Sequence, residues 1–485
     1  MIRLNLVGND YKYELENIIR LFYPEQQVST DTGDFMYITA KIRENELSVL
    51  VKCERGSYYR DDVCNDEKDR ERTLCFLLYQ ILSQLTGIQV GWGIQTGVRP
   101  VKLLRNLTNK SGEAAAHDYF KNKMLVSDEK YRLAKTVLDV QTPILSEITP
   151  KSFSLYIGIP FCKSRCSYCS FVSHDITKSA KLIPEYIRLL CKEIEYTAKI
   201  AKDLGLSLQT VYIGGGTPTA VSAEQLFAVM DTVNTCFDMS GVREFTVEAG
   251  RPDTIDMEKL NAIKRGGADR ISINPQTLND DVLRNIRRNH TAEQFYEAYN
   301  LAVAAGFENI NTDLIAGLPH DTLESFTNTI NDIIALYPSA ITVHTLSVKR
   351  SSRMVYKNQA VYDAKGESVS DMLGVSNNAL ASNGYIPYYM YRQSRMAGNN
   401  ENIGWSLPDC YSRYNIFIME EMQTILACGG GASTKLVGDN GNIKRIFNYK
   451  YPYEYINGFD EMLSRKKAIY EFYGAESSQT NHALI

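Results

Sequence analysis

From Phe153 onward, short apolar runs alternate with longer amphipathic stretches. The short runs are Ser154 to Ile159, Thr210 to Ile213, Glu244 to Glu248, Arg270 to Ile273, Asn309 to Ile315 and Ala340 to Leu346. Each has the length and apolar character of a buried strand. Between them, Ile183 to Lys202, Ala223 to Cys236, Ala292 to Ala305 and Leu323 to Leu336 are amphipathic, with the period of a helix face. Successive strand–helix units close a parallel sheet through right-handed crossovers. The expected fold class is therefore α/β, a six-stranded partial (β/α)6 barrel over residues 151–350. Its chemistry belongs in the loops at the carboxyl ends of the strands.

The flanking segments read differently. Runs at Met36 to Ile42 and Leu47 to Lys52, with an apolar helical stretch around Leu74 to Leu85, predict an N-terminal α+β domain over 1–150. The Thr-Pro pairs at 142–143 and 149–150 place a linker there, since turn chemistry of this kind marks boundaries. After about Arg350 the chain becomes rich in Tyr, Asn, Gly and Met, and 351–485 is expected to form a C-terminal domain or a lid over the substrate site.

Composition narrows the class. A chain of 485 residues, 44% hydrophobic, is long enough for two or three domains and a large core. The net charge of -4 comes without long single-sign blocks, which argues against nucleic-acid and membrane-surface partners. Met1-Ile2-Arg3-Leu4-Asn5-Leu6 is no secretory leader, and no stretch approaches the ~18 apolar residues of a membrane span. A cytoplasmic protein is expected. The ten cysteines are then free thiols for packing or for metal, because reducing compartments disfavour disulfides.

Three of those thiols cluster directly after the first barrel strand. The run Tyr156-Ile157-Gly158-Ile159-Pro160-Phe161-Cys162-Lys163-Ser164-Arg165-Cys166-Ser167-Tyr168-Cys169 has the spacing C-x3-C-x2-C. A structural zinc site needs four closed ligands, usually in two pairs, and no second pair follows. Cys53, Cys64, Cys75, Cys191, Cys236, Cys410 and Cys428 stand singly. A 4Fe-4S cubane held by Cys162, Cys166 and Cys169 leaves one iron open to the amino and carboxylate groups of S-adenosyl-L-methionine (SAM).

Later strand ends supply polar groups at the same level. Gly214-Gly215-Gly216-Thr217-Pro218-Thr219 follows the second strand and lets backbone approach a ligand closely. Glu248, Gln276, Arg288 and Asp313 follow in turn. Glu248 and Asp313 suit hydroxyls or amines, and the Arg288 fork suits the methionyl carboxylate. Gly266-Gly267 reads as a helix cap, Gly317-Leu318-Pro319 as a turn, and Gly429-Gly430-Gly431-Ala432 either as a turn or as a loop that approaches a cofactor or substrate.

Taken in order, these motifs resemble the oxygen-independent coproporphyrinogen III oxidase family of the radical SAM superfamily. The match runs from Tyr156 through Gly214–Thr219, Val247-Glu248-Ala249, Arg270-Ile271-Ser272 to Gln276, Arg288-x-His290 and Asp313-Leu314-Ile315-x-Gly317-Leu318-Pro319. It is nearest the HemZ type, which adds an N-terminal domain with a Gly97-Val98-Arg99-Pro100 run and a tail like Tyr389-Met390-Tyr391-Arg392-Gln393.

The resemblance implies that Tyr156, Tyr168, Gly215, Gly216, Thr217, Glu248, Gln276, Arg288 and Asp313 contact SAM, and that the three cysteines hold the cluster. It implies an oxidoreductase of anaerobic haem biosynthesis, a coproporphyrinogen dehydrogenase. A SAM-derived 5'-deoxyadenosyl radical would take hydrogen from a propionate, and loss of CO2 and an electron would leave a vinyl group. Two such events give protoporphyrinogen IX. Flavodoxin or ferredoxin is the expected type of electron donor. Lys349, Arg350, Arg392 and Arg395 are candidates for the substrate's carboxylates.

Two departures bear on substrate. Family members that convert coproporphyrinogen III carry a His two residues after the motif Tyr and a fourth Cys two residues after the third. This chain has Gly158 and Phe171. The related haem chaperones share that Phe, so a haem-binding protein without decarboxylase activity is the alternative, with another tetrapyrrole-modifying radical SAM reaction beside it.

Overall fold

The apolar runs become ladders. In the computed structural model, which describes residues 1–171, 173–347, 367–393, 396–438 and 441–480, the chain divides into two units. Among the described residues, one comprises 1–138, 367–370, 391–393 and 396–401, and the other takes the remainder.

In the first unit, β1 (Ile2–Val7), β2 (Val28–Ser29), β3 (Met36–Arg43), β4 (Glu46–Cys53) and β5 (Gly56–Val63) form a sheet ordered β2-β1-β3-β4-β5. Alternation decides its inner face: Leu47, Val49 and Val51 of β4 are fully buried. The helix Arg70–Thr86 packs on β4 and β5 with Leu74, Leu77, Leu78, Ile81 and Leu82. Gly87, left-handed at φ 74°, closes it. The segment 391–401 returns to this unit, where the Glu401 carboxylate accepts from Trp92 Nε1 and Lys130 Nζ, both at 2.6 Å.

The second unit is built on one long sheet. Its strands are β6 (Ser152–Ile159), β7 (Phe161–Cys162), β8 (His174–Asp175), β9 (Ser207–Gly215), β10 (Glu244–Gly250), β11 (Arg270–Ile273), β12 (Asn309–Ala316), β13 (Ala340–Thr345), β14 (Ile386–Tyr391), β15 (Asn402–Ser406), β16 (Thr424–Gly429), β17 (Ser433–Val437) and β18 (Ile443–Phe447). The order is β14-β15-β13-β12-β11-β10-β9-β6-β16-β17-β18, with β7 and β8 paired apart. Strands β6, β9, β10, β11, β12 and β13 are parallel neighbours, the expected six of the partial barrel.

The expected helices appear as Ile183–Asp203, Ala223–Cys236, Ala292–Ala304 and Leu323–Ala335. Three of them start at a Ser or Thr cap, Ser222, Thr291 and Thr322, which satisfies otherwise orphaned amides. Strands drawn from 351–485 extend the same sheet. β15 joins β13 antiparallel, and β16 lies parallel to β6.

One boundary signal acts differently from expectation. Thr142-Pro143 does not break the chain but lies in the last turn of the helix Asp128–Leu145. A proline that near a helix end removes a single backbone bond. Among the described residues no helix is long and apolar enough to cross a membrane.

Candidate cluster and cofactor site

β6 runs through Pro160 into the cysteine loop, and three neighbouring strand ends hold that loop in place. Beyond β9, Gly216 N donates to Ile159 O (2.9 Å), Thr217 N to Phe161 O (2.8 Å) and Thr217 Oγ1 to Cys162 Sγ (3.4 Å). Beyond β10, buried Arg251 donates to the Ser164 carbonyl (2.9 Å) and hydroxyl (2.8 Å) and pairs with Asp253. Beyond β11, Ile286 O accepts from Ser167 N (2.9 Å) and Oγ (3.2 Å). The seat is tight: a Cβ on Gly216 would stand 2.6 Å from Phe161 O.

Cys162 and Cys166 are buried and Cys169 half-buried. Burial raises the Cys162 thiol, and burial with the nearby Cys166 charge pushes Cys169 up to about 11. Such thiols stay protonated until a metal displaces the proton. Among the described residues no three His, Cys, Asp or Glu side chains converge as for a single metal ion. A cubane does not require that, since each thiolate binds its own iron corner.

Arg288 crosses beneath this loop. It lies just past the turn that follows the helix Asp280–Asn285. Its Nη1 donates to Tyr168 OH (3.1 Å) and reaches Cys166 Sγ (3.8 Å), and its Nη2 donates to Gly250 O (2.7 Å) and to Asn274 O. Burial opposes its charge, but Tyr168 and Cys166 outweigh that and hold its pKa above the ordinary value. Its Nε and both ring nitrogens of His290 are buried with no protein partner. Burial, with the Arg288 and Arg251 charges, drives His290 down to about 2, so the ring is neutral. Three thiols and an orphaned guanidinium N–H beside them fit a cluster with a polar, carboxylate-bearing ligand.

The barrel lumen continues the site. On β6, β10, β12 and β13 most residues are buried, while Tyr156, Glu248, Asp313 and His344 are each half-exposed. Tyr156 stacks on Tyr212 of β9 (centroids 6.3 Å), and Tyr212 on Tyr414 (4.5 Å). Burial of the Glu248 carboxyl, with the Asp313 charge, raises it to about 7 against hydrogen bonds from Tyr212 and Gly215. Burial also opposes ionisation of Asp313, but His344, Asn311 and Thr342 prevail and hold it below the usual range. Gln276, at φ 71°, is pinned by Gln276 N to Asp313 O (2.9 Å) and Ile315 N to Gln276 O (3.0 Å).

Every residue singled out for the cluster and SAM thus lies at the carboxyl ends of β6 and β9–β12 or in the lumen below. Of the four basic candidates, Arg392 is among the described residues. Arg392 is buried in the first unit, where its two terminal nitrogens donate to Gln95 O and to Asn399. Lys349, Arg350 and Arg395 lie outside the described residues. Sequence reading missed Arg251 and His344. A signal existed for the latter, since Thr342 and His344 are polar at alternate positions of β13, between apolar Ile341 and Val343.

Residues 156–333 match the model of the Radical SAM superfamily. The oxygen-independent coproporphyrinogen-III oxidase-like protein HemZ of Bacillus subtilis is 36% identical over 93% of this chain and 94% of its own length. The chain belongs to this family of radical SAM proteins. Radical SAM proteins use a 4Fe-4S cluster and SAM. The heme chaperone HemW of Bacillus subtilis is 40% identical over 40% of this chain and 51% of that protein. The fold matches coproporphyrinogen III oxidase (HemN) from Escherichia coli, a radical SAM enzyme, with a TM-score of 0.51 at 23% identity over 67% of this chain and 73% of that one.

Proposed function

We propose that this chain binds a 4Fe-4S cluster through Cys162, Cys166 and Cys169 and SAM along Tyr156, Tyr168, Gly215, Gly216, Thr217, Glu248, Gln276, Arg288 and Asp313. Its reaction is the oxygen-independent decarboxylation of coproporphyrinogen III to protoporphyrinogen IX. When bound, cluster and SAM supply a 5'-deoxyadenosyl radical, an abstractor of hydrogen from unactivated carbon. The observation that carries the reading is the stitching of the cysteine loop to Gly216, Thr217, Arg251 and Ile286, with the Arg288 guanidinium against Cys166.

The chain's own residues bind, orient and exclude water. Arg288 is suited to a ligand carboxylate, because its pKa lies above the ordinary value and its charge is permanent. Glu248, near half-ionised at neutral pH, and ionised Asp313 give the lumen a negative character that suits an ammonium or sulfonium group and ribose hydroxyls.

A specific observation favours the haem-chaperone reading as the second. A Cβ on Gly158 would meet Gly430 O at 3.3 Å and the Tyr156 ring at 3.5 Å, so the His that decarboxylating relatives carry there has little room. Phe171, in place of their fourth Cys, is 69% exposed. The deciding experiment incubates the anaerobically reconstituted protein with dithionite, SAM and coproporphyrinogen III, and follows 5'-deoxyadenosine and tetrapyrroles by chromatography and mass spectrometry. Protoporphyrinogen IX is the expected product. Intact carboxylates together with stoichiometric haem binding would transfer the assignment to the chaperone.

A further inference from the structure

The lumen described above is acidic, whereas a tetrapyrrole presents carboxylates of its own. Glu248 and Asp313 face the lumen from β10 and β12, and Tyr212 of β9, stacked on Tyr414, hydrogen-bonds Glu248. An anionic substrate needs a cationic or strongly donating group here, or it is repelled.

His344 meets that need by position. It is the half-exposed residue of β13, whose other residues are buried, and its side chain is 27% exposed. In the parallel register Asp313 faces Thr342 and Ile315 faces His344, so His344 stands two residues nearer the carboxyl mouth than the partner of Asp313. Its Nε2 lies 3.6 Å from Asp313 Oδ2, which orients the ring. Within the six parallel strands, β13 is at the opposite end from β6, which leads into the cysteine loop. The cofactor side of the half-barrel is therefore β6 to β12, and β13 is left to the substrate.

We propose that His344, oriented by Asp313, binds a carboxylate of the substrate at the mouth of the lumen. The proposal rests on the tetrapyrrole reading and names the group recognised: a propionate, present on both coproporphyrinogen and haem. Asp313 acts as the ring's anchor and the imidazole as the contact.

The test uses the full chain with its cluster reconstituted and SAM present, and measures binding of coproporphyrin III, its tetramethyl ester and haem. His344→Phe is expected to weaken coproporphyrin III and haem by about tenfold or more, the scale of a lost charge-assisted hydrogen bond. His344→Lys, which restores an N–H donor at this position, should recover most of that loss. The tetramethyl ester should bind wild type and His344→Phe alike. Iron content and the thermal transition serve as folding controls, and His344→Gln carries the same comparison should the Phe variant not fold. Coproporphyrin III affinity within twofold of wild type, or an equal loss on the ester, would overturn the role of His344. Wild-type protein that binds neither porphyrin nor haem would overturn the tetrapyrrole reading itself.

Discussion

The Glu248 carboxyl makes stability depend on pH in a direction opposite to an ordinary salt-bridged acid. Folded, it titrates at about 7 rather than at the ordinary 4.5, because it is enclosed beside the Asp313 charge. Between those two values the native state binds a proton that the unfolded chain has released. Stability is then full below pH 4.5, falls as pH rises, and levels off above 7. Each tenfold difference in proton affinity is worth about 1.4 kcal/mol, which sets a ceiling of ~3 kcal/mol. Solvent reaches part of the side chain, so ~2 kcal/mol is the working figure. Glu248→Gln cannot ionise and should lose this slope, gaining on wild type by that amount between pH 5 and 8. Of the chain's two tryptophans, Trp92 belongs to the first unit and Trp405 to the second. Urea unfolding followed by Trp405 fluorescence in a Trp92→Phe background therefore reports the right unit. Stability curves for the two proteins that stay parallel within ~0.5 kcal/mol over this range would refute the reasoning.

Three further outcomes follow from the same contacts. Gly216→Ala places a methyl 2.6 Å from Phe161 O, so it should displace the cysteine loop and lower iron retention after gel filtration several-fold while the far-UV spectrum is unchanged. Lys466→Met breaks a fully buried pair with Glu193 (2.9 Å, exposures 1% and 0%) and should cost ~3 kcal/mol by chemical denaturation, with partial recovery in the double variant carrying Glu193→Gln. Arg288→Lys keeps the charge but cannot reach Tyr168, Gly250 and Asn274 together. It should weaken SAM binding by at least about tenfold in equilibrium dialysis, and undiminished affinity would remove Arg288 from the cofactor site.

What the sequence disclosed depended on how local the signal was. The six barrel strands were legible because each is a short apolar run bounded by polar residues, and the cysteine loop because its spacing is contiguous. Arg251 was not, since its role rests on Ser164, distant in sequence and brought near by the β10 turn. The Glu193–Lys466 pair was hidden for the same reason. Lys466 lies near the end of the chain, yet with Tyr455 and the Gly429 amide it converges on a carboxylate of the helix Ile183–Asp203. Thr142-Pro143 misled because proline was weighed as a breaker without regard to its place near a helix end. Arg392 misled because a charged residue in a polar tail reads as a partner for substrate carboxylates, whereas it is buried and donates to Gln95 and Asn399.

The central claim is a SAM-cleaving cluster on three cysteines, and the most direct measurement is iron and sulfide analysis with electron paramagnetic resonance. Anaerobically reconstituted wild type should be compared with Cys162→Ala, Cys166→Ala and Cys169→Ala, before and after addition of SAM. The account predicts about four irons and four sulfides per wild-type chain, a reduced-cluster signal that changes when SAM is added, and loss of both in each variant. A full complement of iron in any one of the three variants, or a wild-type signal indifferent to SAM, would contradict it.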